Sequence, residues 1–99
     1  PIWLKFKGGK GVATYLGILF AFNILLPLVF IVSWLVIVFI SKFSSLASLV
    51  STFIVLIVNI FLEGLDRSVI LFLFFVLIMY SHKTNIGRLK AGTENKINL

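Results

Sequence analysis

The stretch FKGGKGVAT, Phe6–Thr14, sets three glycines around one lysine just ahead of a long apolar segment, with Lys5 and Lys7 adjoining. Gly8, Gly9 and Gly11 allow a backbone to turn tightly and approach a ligand closely. A helix starting near Gly11 would aim unpaired amides and the positive end of its dipole back at this loop. Lys10 adds a formal charge and Thr14 a hydroxyl one turn on, so residues 5–14 have the ingredients of an anion cradle. The pattern is not a P-loop of nucleotide-binding proteins, which needs Ser or Thr directly after Gly-Lys where this chain has Gly11. The competing reading is a flexible loop whose lysines only orient the chain at a membrane.

A second candidate is SHKTNIGRLKAGTENK, Ser81–Lys96, which holds the sole histidine. At helical spacing His82, Asn85 and Arg88 are successive i, i+3 neighbours on one broad face. A histidine that titrates near neutrality, an amide that can orient a substrate group and a guanidinium for phosphate suit a transfer reaction. The same residues also suit an amphipathic helix lying on anionic lipid. In the third stretch, SKFSSLAS, Ser44 and Ser45 either donate to a substrate or cap the following helix, and the local pattern favours the cap. No second histidine or carboxylate cluster supports a metal site. The acyltransferase pattern with Asp five positions after His is excluded, because that position is Gly87.

The elements that must position these residues are membrane helices. The 99 residues are 61% hydrophobic and 12% charged, with 11 Phe and a mean hydropathy of +1.19. A soluble domain carries roughly a quarter charged residues. The absence of cysteine removes disulfide and thiol chemistry. The net charge of +6 is concentrated at the chain's two ends, which in such a sequence points to topology and anionic head groups rather than nucleic acid. Four apolar runs are expected to be helical: Gly11–Leu25, Pro27–Ile40, Ser45–Leu62 and Ser68–Tyr80. EGLDR (Glu63–Arg67) is a clear polar turn, SKFSS (Ser41–Ser45) a second, and Asn23–Pro27 the weakest break. Four crossings place Lys5, Lys7, Lys10, Lys42, Lys83, Arg88, Lys90 and Lys96 on one side and Arg67 on the other, as the positive-inside rule requires; three crossings destroy this bias. The 14–15-residue runs reach only about 21–23 Å at ~1.5 Å per residue, so they need a thinned bilayer or flanking residues. Unpaired backbone in lipid leaves helices or closed barrels, and these runs are too long and uniformly apolar for barrel strands. The expected fold is an all-α, polytopic transmembrane helix bundle of about four short spans, forming one domain over 1–99 with a tail at 81–99.

Taken together, FKGGKGVAT, SKFSSL and HKTNIGRLKAGTENK, in this order and spacing, resemble the bacterial acyl-phosphate:glycerol-3-phosphate acyltransferase family (PlsY type). The resemblance covers essentially the whole chain. It implies a multi-pass enzyme of the bacterial inner membrane whose motifs face the cytoplasm. Such an enzyme moves a fatty acyl group from acyl phosphate to the 1-hydroxyl of glycerol 3-phosphate, giving lysophosphatidic acid, without metal, nucleotide or coenzyme A. It implies a phosphate loop at Gly8, Gly9, Lys10, Gly11 and Thr14, and a conserved tail at His82, Asn85, Arg88, Leu89, Gly92 and Glu94. His82 would orient or deprotonate the hydroxyl, or the substrate phosphate would act as base instead. Asn85 would stabilise charge on the acyl oxygen, Ser44 and Ser45 would lie near the substrates, and Glu94 would support the site. The family's earlier motif, Ser-Gly-Asn-x-Gly-Ala-Thr-Asn, is missing here. The resemblance therefore implies a C-terminal half whose partner is the remaining N-terminal half, and which is inactive alone.

Two other readings compete. A small anion-transporter subunit would place ionisable groups or broken helices mid-membrane, where this sequence has only Asn23, Ser33, Asn59 and small hydroxyls. A non-catalytic membrane anchor would not need His82 and Asn85 beside Arg88.

Overall fold

The computed structural model describes residues 11–98, and among them every regular element is helical. Helix α1 spans Val12–Phe22, α2 Leu25–Ser41, α3 Ser44–Glu63, α4 Val69–Ser81 and α5 Lys83–Ala91, with a 3-10 turn at Asp66–Ser68 before α4. The four expected apolar runs correspond to α1–α4. Each boundary has a local cause. The break after α1 is a full one: Asn23 is extended, and its Oδ1 accepts a 2.9 Å hydrogen bond from the Leu26 amide. Pro27 falls in the first turn of α2, where a missing N–H costs nothing. Lys42 closes α2 in the left-handed conformation, with φ 67°.

The ends of α1 and α3 and the starts of the 3-10 turn and α4 wall one cavity, so the four helices run up-down-up-down. The opposite end gathers Gly11, Ser41, Ser44 and His82. Helix α3 is the centre of the bundle, packing chiefly on α2 and also touching α4 and α5. It buries a stripe of small and polar residues, Ser45, Ala47, Ser48, Ser51, Thr52 and Asn59, beside Val55 and Leu56. Small side chains let helix backbones approach closely where packing, not water exclusion, must hold them together. Each polar group in the stripe turns to a near neighbour where it can: Ser48 accepts from Trp34 Nε1 at 3.2 Å, and Thr52 donates to the Leu49 carbonyl at 2.8 Å. The apolar core is Tyr15, Leu19, Leu26, Phe30, Val55, Leu56, Leu71 and Ile78.

Much of the exterior is apolar as well. Phe61, Ile40 and Leu65 are 85%, 79% and 71% exposed. The described chain measures 37 × 23 × 23 Å, against a ~30 Å hydrocarbon core. By length and composition α3 can cross a membrane alone. So can the turn-plus-α4 and α5 pair if it counts as one bent span, whereas α1 and α2 are shorter apolar helices.

Candidate functional site

The candidate site is built where α4 ends. The His82 side chain enters the helical ladder: Nδ1–H donates to the Ile78 carbonyl at 2.8 Å, an acceptor that the His82 amide also uses at 3.1 Å. A side chain competing for an i−4 carbonyl is a recognised cause of kinks, and α5 leaves α4 at 60° here. His82 is therefore the hinge between two helices and is buried, at 1% exposure. This corrects the expectation that His82, Asn85 and Arg88 share one helical face. Asn85 and Arg88 lie on α5, and His82 stands at the bend before it. Because the Ile78 carbonyl only accepts, Nδ1 carries the proton, and in the neutral ring Nε2 is the basic nitrogen.

Helix α5 ends at a Schellman turn. Gly92 adopts φ 75°, the Thr93 amide donates to the Arg88 carbonyl at 2.8 Å, and the Gly92 amide to the Leu89 carbonyl at 3.3 Å. This turn sends the chain back along α5 and delivers Glu94 to the bundle. Glu94 Oε2 accepts from Ser45 Oγ at 2.6 Å and from Asn85 Nδ2 at 2.7 Å. Its Oε1 accepts from Arg88 Nε at 2.8 Å and from the Asn95 amide at 3.2 Å. The Glu94 side chain is only 4% exposed. Burial alone would push its pKa up, but the hydrogen bonds from Ser45, Arg88, Asn85 and the Asn95 amide outweigh it and hold the value at about 2. Beyond Glu94, the Ile97 amide donates to the Lys42 carbonyl at 2.7 Å and Lys96 Nζ lies 5.8 Å from the Phe43 ring centre. The tail is thus strapped over the α2–α3 loop.

Of the residues singled out from sequence, Ser45, Asn85 and Arg88 converge on the carboxylate of a fourth, Glu94. Ser45 is not a cap, which is a second correction. Phe43 occupies the cap position of α3 without a side-chain hydrogen bond, and the Ser45 hydroxyl is spent on Glu94. Ser44 is half-buried and offers its carbonyl to Ser48 Oγ at 3.1 Å. Gly11, with φ 86°, caps α1, and Thr14 is exposed one turn later, both at the site's end of the bundle. Gly8, Gly9 and Lys10 lie outside the described residues. No cluster able to hold a metal occurs among the described residues. The Lys42–Ile97 strap escaped sequence reasoning, because a backbone-to-backbone link leaves no mark on side-chain pattern. Gly92 after a helical run was the one readable signal of the turn.

Chemically, Arg88 is the group that remains open to an anion. Its Nε is committed to Glu94, its side chain is 42% exposed, and its Nη groups take no partner among the described residues. A guanidinium fixed through Nε presents its other edge in a set orientation, which suits bidentate contact with phosphate.

The family model described as glycerol-3-phosphate acyltransferase matches residues 1–92. The chain belongs to the glycerol-3-phosphate acyltransferase family. A relative named glycerol-3-phosphate acyltransferase from Pelagibacter ubique is 56% identical over 97% of this chain and 50% of its own length. Glycerol-3-phosphate acyltransferase 2 from Thermotoga maritima is 46% identical over the whole chain and 50% of its own length. The enzyme from Mesorhizobium japonicum is 45% identical over 98% of the chain and again 50% of its own length. The chain thus spans about half the length of these family members. No solved structure matches it.

Proposed function

We propose that this chain forms part of a membrane acyltransferase that moves a fatty acyl group from acyl phosphate to the 1-hydroxyl of glycerol 3-phosphate, giving lysophosphatidic acid. The observation that carries this reading is the convergence of Ser45, Asn85 and Arg88 on the buried Glu94 carboxylate beside the buried, tautomer-fixed His82. Family membership supplies the substrate named in its relatives, and the apolar exterior supplies the lipid setting.

In the proposed reaction the glycerol hydroxyl oxygen attacks the acyl carbonyl. A new ester C–O bond forms, the acyl–phosphate C–O bond breaks, and inorganic phosphate leaves with the bonding pair. Acyl phosphate is already activated, so the protein's task is to hold two phosphate-bearing substrates together and manage one proton. Arg88, Lys10 and the α1 amides beyond Gly11 neutralise phosphate charge at the membrane rim. His82 Nε2 orients or takes the hydroxyl proton, with substrate phosphate the alternative base. Glu94 accepts from the Asn85 amide and so fixes the orientation of the group that would meet the developing oxyanion. Ser44, Ser45 and Thr14 border the substrates, and Glu94 positions the donors. The motifs face the cytoplasm of a bacterial inner membrane, in keeping with the lopsided distribution of lysine and arginine. The remaining half of the family's length supplies the rest of the site.

The test is transfer of labelled glycerol 3-phosphate into lipid by the full-length protein. With acyl phosphate as donor, His82→Ala should lower kcat by ~10²–10⁴-fold with little change in KM. Full activity in His82→Ala would remove His82 from proton handling. Transfer from acyl-coenzyme A and none from acyl phosphate would assign another donor class. No transfer from any donor would return the transporter-subunit and anchor readings.

A further inference from the structure

At the far end of the bundle, some 27 Å along α3 from Ser45 at ~1.5 Å per residue, a second polar feature has no part in the site above. A cavity of about 430 Å³ opens between the end of α1, the end of α3 and the start of α4, walled by Phe22, Asn59, Glu63, Asp66, Arg67 and Ile70, among others. Asn59 is 1% exposed, and its amide orientation is fixed. Nδ2 donates to the Arg67 carbonyl at 3.2 Å and to Ser68 Oγ at 2.9 Å, and a backbone carbonyl accepts only. Oδ1 is therefore an acceptor, and it is buried with no hydrogen-bond partner among the described residues. An acceptor left unpaired in this way costs free energy unless something donates to it.

The chemistry of the wall narrows what that donor is. Glu63 and Asp66 add two carboxylates and no donor. Glu63 and Arg67 form a loose pair at 3.9 Å, with side chains 46% and 77% exposed, so the guanidinium is largely open to another anion. No group of three or more His, Cys, Asp or Glu side chains able to hold a metal occurs among the described residues. A primary ammonium brings three N–H donors, matching one amide oxygen and two carboxylates. An adjoining phosphate matches Arg67. Phe22, Val69 and Ile70, at 40%, 54% and 52% exposure, border the same opening with apolar surface.

We propose that this cavity binds the head group of a zwitterionic phospholipid bearing a primary amine, with the ammonium on Asn59, Glu63 and Asp66 and the phosphate on Arg67. The inference rests on the membrane setting proposed above and not on the acyl-transfer chemistry. It is tested on the full-length protein in detergent by titrating short-chain phosphatidylethanolamine, phosphatidylcholine, phosphatidylglycerol and free phosphoethanolamine, each against the wild type and Glu63→Gln/Asp66→Asn. Phosphatidylethanolamine should bind at least ~10-fold more tightly than phosphatidylcholine, whose quaternary ammonium has no N–H, and than phosphatidylglycerol, which has no cation. The double variant should erase that preference while acyl transfer, measured on the same samples, stays at the wild-type rate. Asn59→Asp, which keeps an acceptor oxygen, should retain the preference. Equal binding of the three lipids, or an unchanged preference in the double variant, would overturn the proposal. So would binding of phosphoethanolamine with no binding of the lipid. Loss of acyl transfer in the wild type would count against the acyltransferase reading and leave the lipid preference standing.

Discussion

Ser45 and Glu94 stand 49 positions apart and share a 2.6 Å hydrogen bond at the rim of the bundle. That bond ties the first turn of α3 to the segment after α5, and the same carboxylate holds Asn85 and Arg88. Glu94→Ala should leave three side-chain donors and the Asn95 amide without their acceptor, costing roughly 2–4 kcal/mol of stability and at least 10-fold in transfer. Glu94→Gln, close in shape but uncharged, should fall between that variant and the wild type. The pH dependence follows from the depressed pKa. The carboxyl goes from 4.5 to about 2, so its contribution of ~2–3 kcal/mol is complete above pH 4.5 and is lost as pH falls through about 2. Denaturation midpoints between pH 5 and 2 should show this loss in the wild type and not in Glu94→Gln.

Arg88→Lys keeps the charge and removes the fork. A lysine ammonium can reach Glu94 or a phosphate but does not present a fixed second edge. The expected result is a rise of about 10-fold or more in KM for glycerol 3-phosphate, with stability within ~1 kcal/mol of the wild type. Steady-state kinetics on the full-length enzyme decide it. An unchanged KM would place the phosphate elsewhere.

Gly92 has φ 75° and open space around its Cα, so a substitution there is penalised by backbone conformation alone. Gly92→Ala should cost ~1–2 kcal/mol at the turn and lower transfer by loosening Glu94. Gly92→Asn, which tolerates the left-handed region better, should retain more of both. Parallel thermal melts and activity assays check the ranking, which a steric explanation would not produce.

Tyr15 and Ser51 carry buried hydroxyls with no hydrogen-bond partner among the described residues. Within the described residues these groups are desolvated without return, so Tyr15→Phe and Ser51→Ala should each be neutral or stabilising, by up to ~1 kcal/mol. Melting of the full-length protein measures this. Destabilisation by either variant would mean that another segment donates to or accepts from that hydroxyl in the complete enzyme.

Single cysteines at Lys42 and Lys83 should react with an impermeant reagent only from the cytoplasmic side, and one at Asp66 only from the opposite side. The alternation of α1–α4 puts Lys42 and Lys83 at one end and Asp66 at the other, and under the proposed membrane reading the expected eight-to-one distribution of basic residues assigns the first end to the cytoplasm. Labelling of Lys42 and Lys83 from opposite sides would refute the up-down order in the membrane.

The helices were legible because their signal is composition over many residues, which tertiary context rarely overrides. Even the weak break at Asn23 was marked, since an asparagine two positions before a leucine pair and a proline can close one helix and cap the next. The arrangement at His82 was not legible. Spacing alone assumed an uninterrupted helix, whereas the imidazole takes a carbonyl from its own ladder and bends the chain. Ser45 was misread because a serine at a helix start is locally satisfied by capping, and its actual acceptor is far away in sequence. Glu94 drew notice only through the family resemblance. Nothing in its neighbourhood indicates that one carboxylate gathers donors from three separate segments.

The turn at Gly92 also fixes when the site can come into being during synthesis. Ser45, Asn85 and Arg88 are all made before Glu94, so for that interval the donors lack their shared acceptor. Assembly of the polar cluster is then a late closure event, made when a few residues past α5 fold back onto a loop already in place. A chain truncated after Ala91 would keep its helices and lose the cluster, which separates helix packing from acquisition of the site in a single polypeptide.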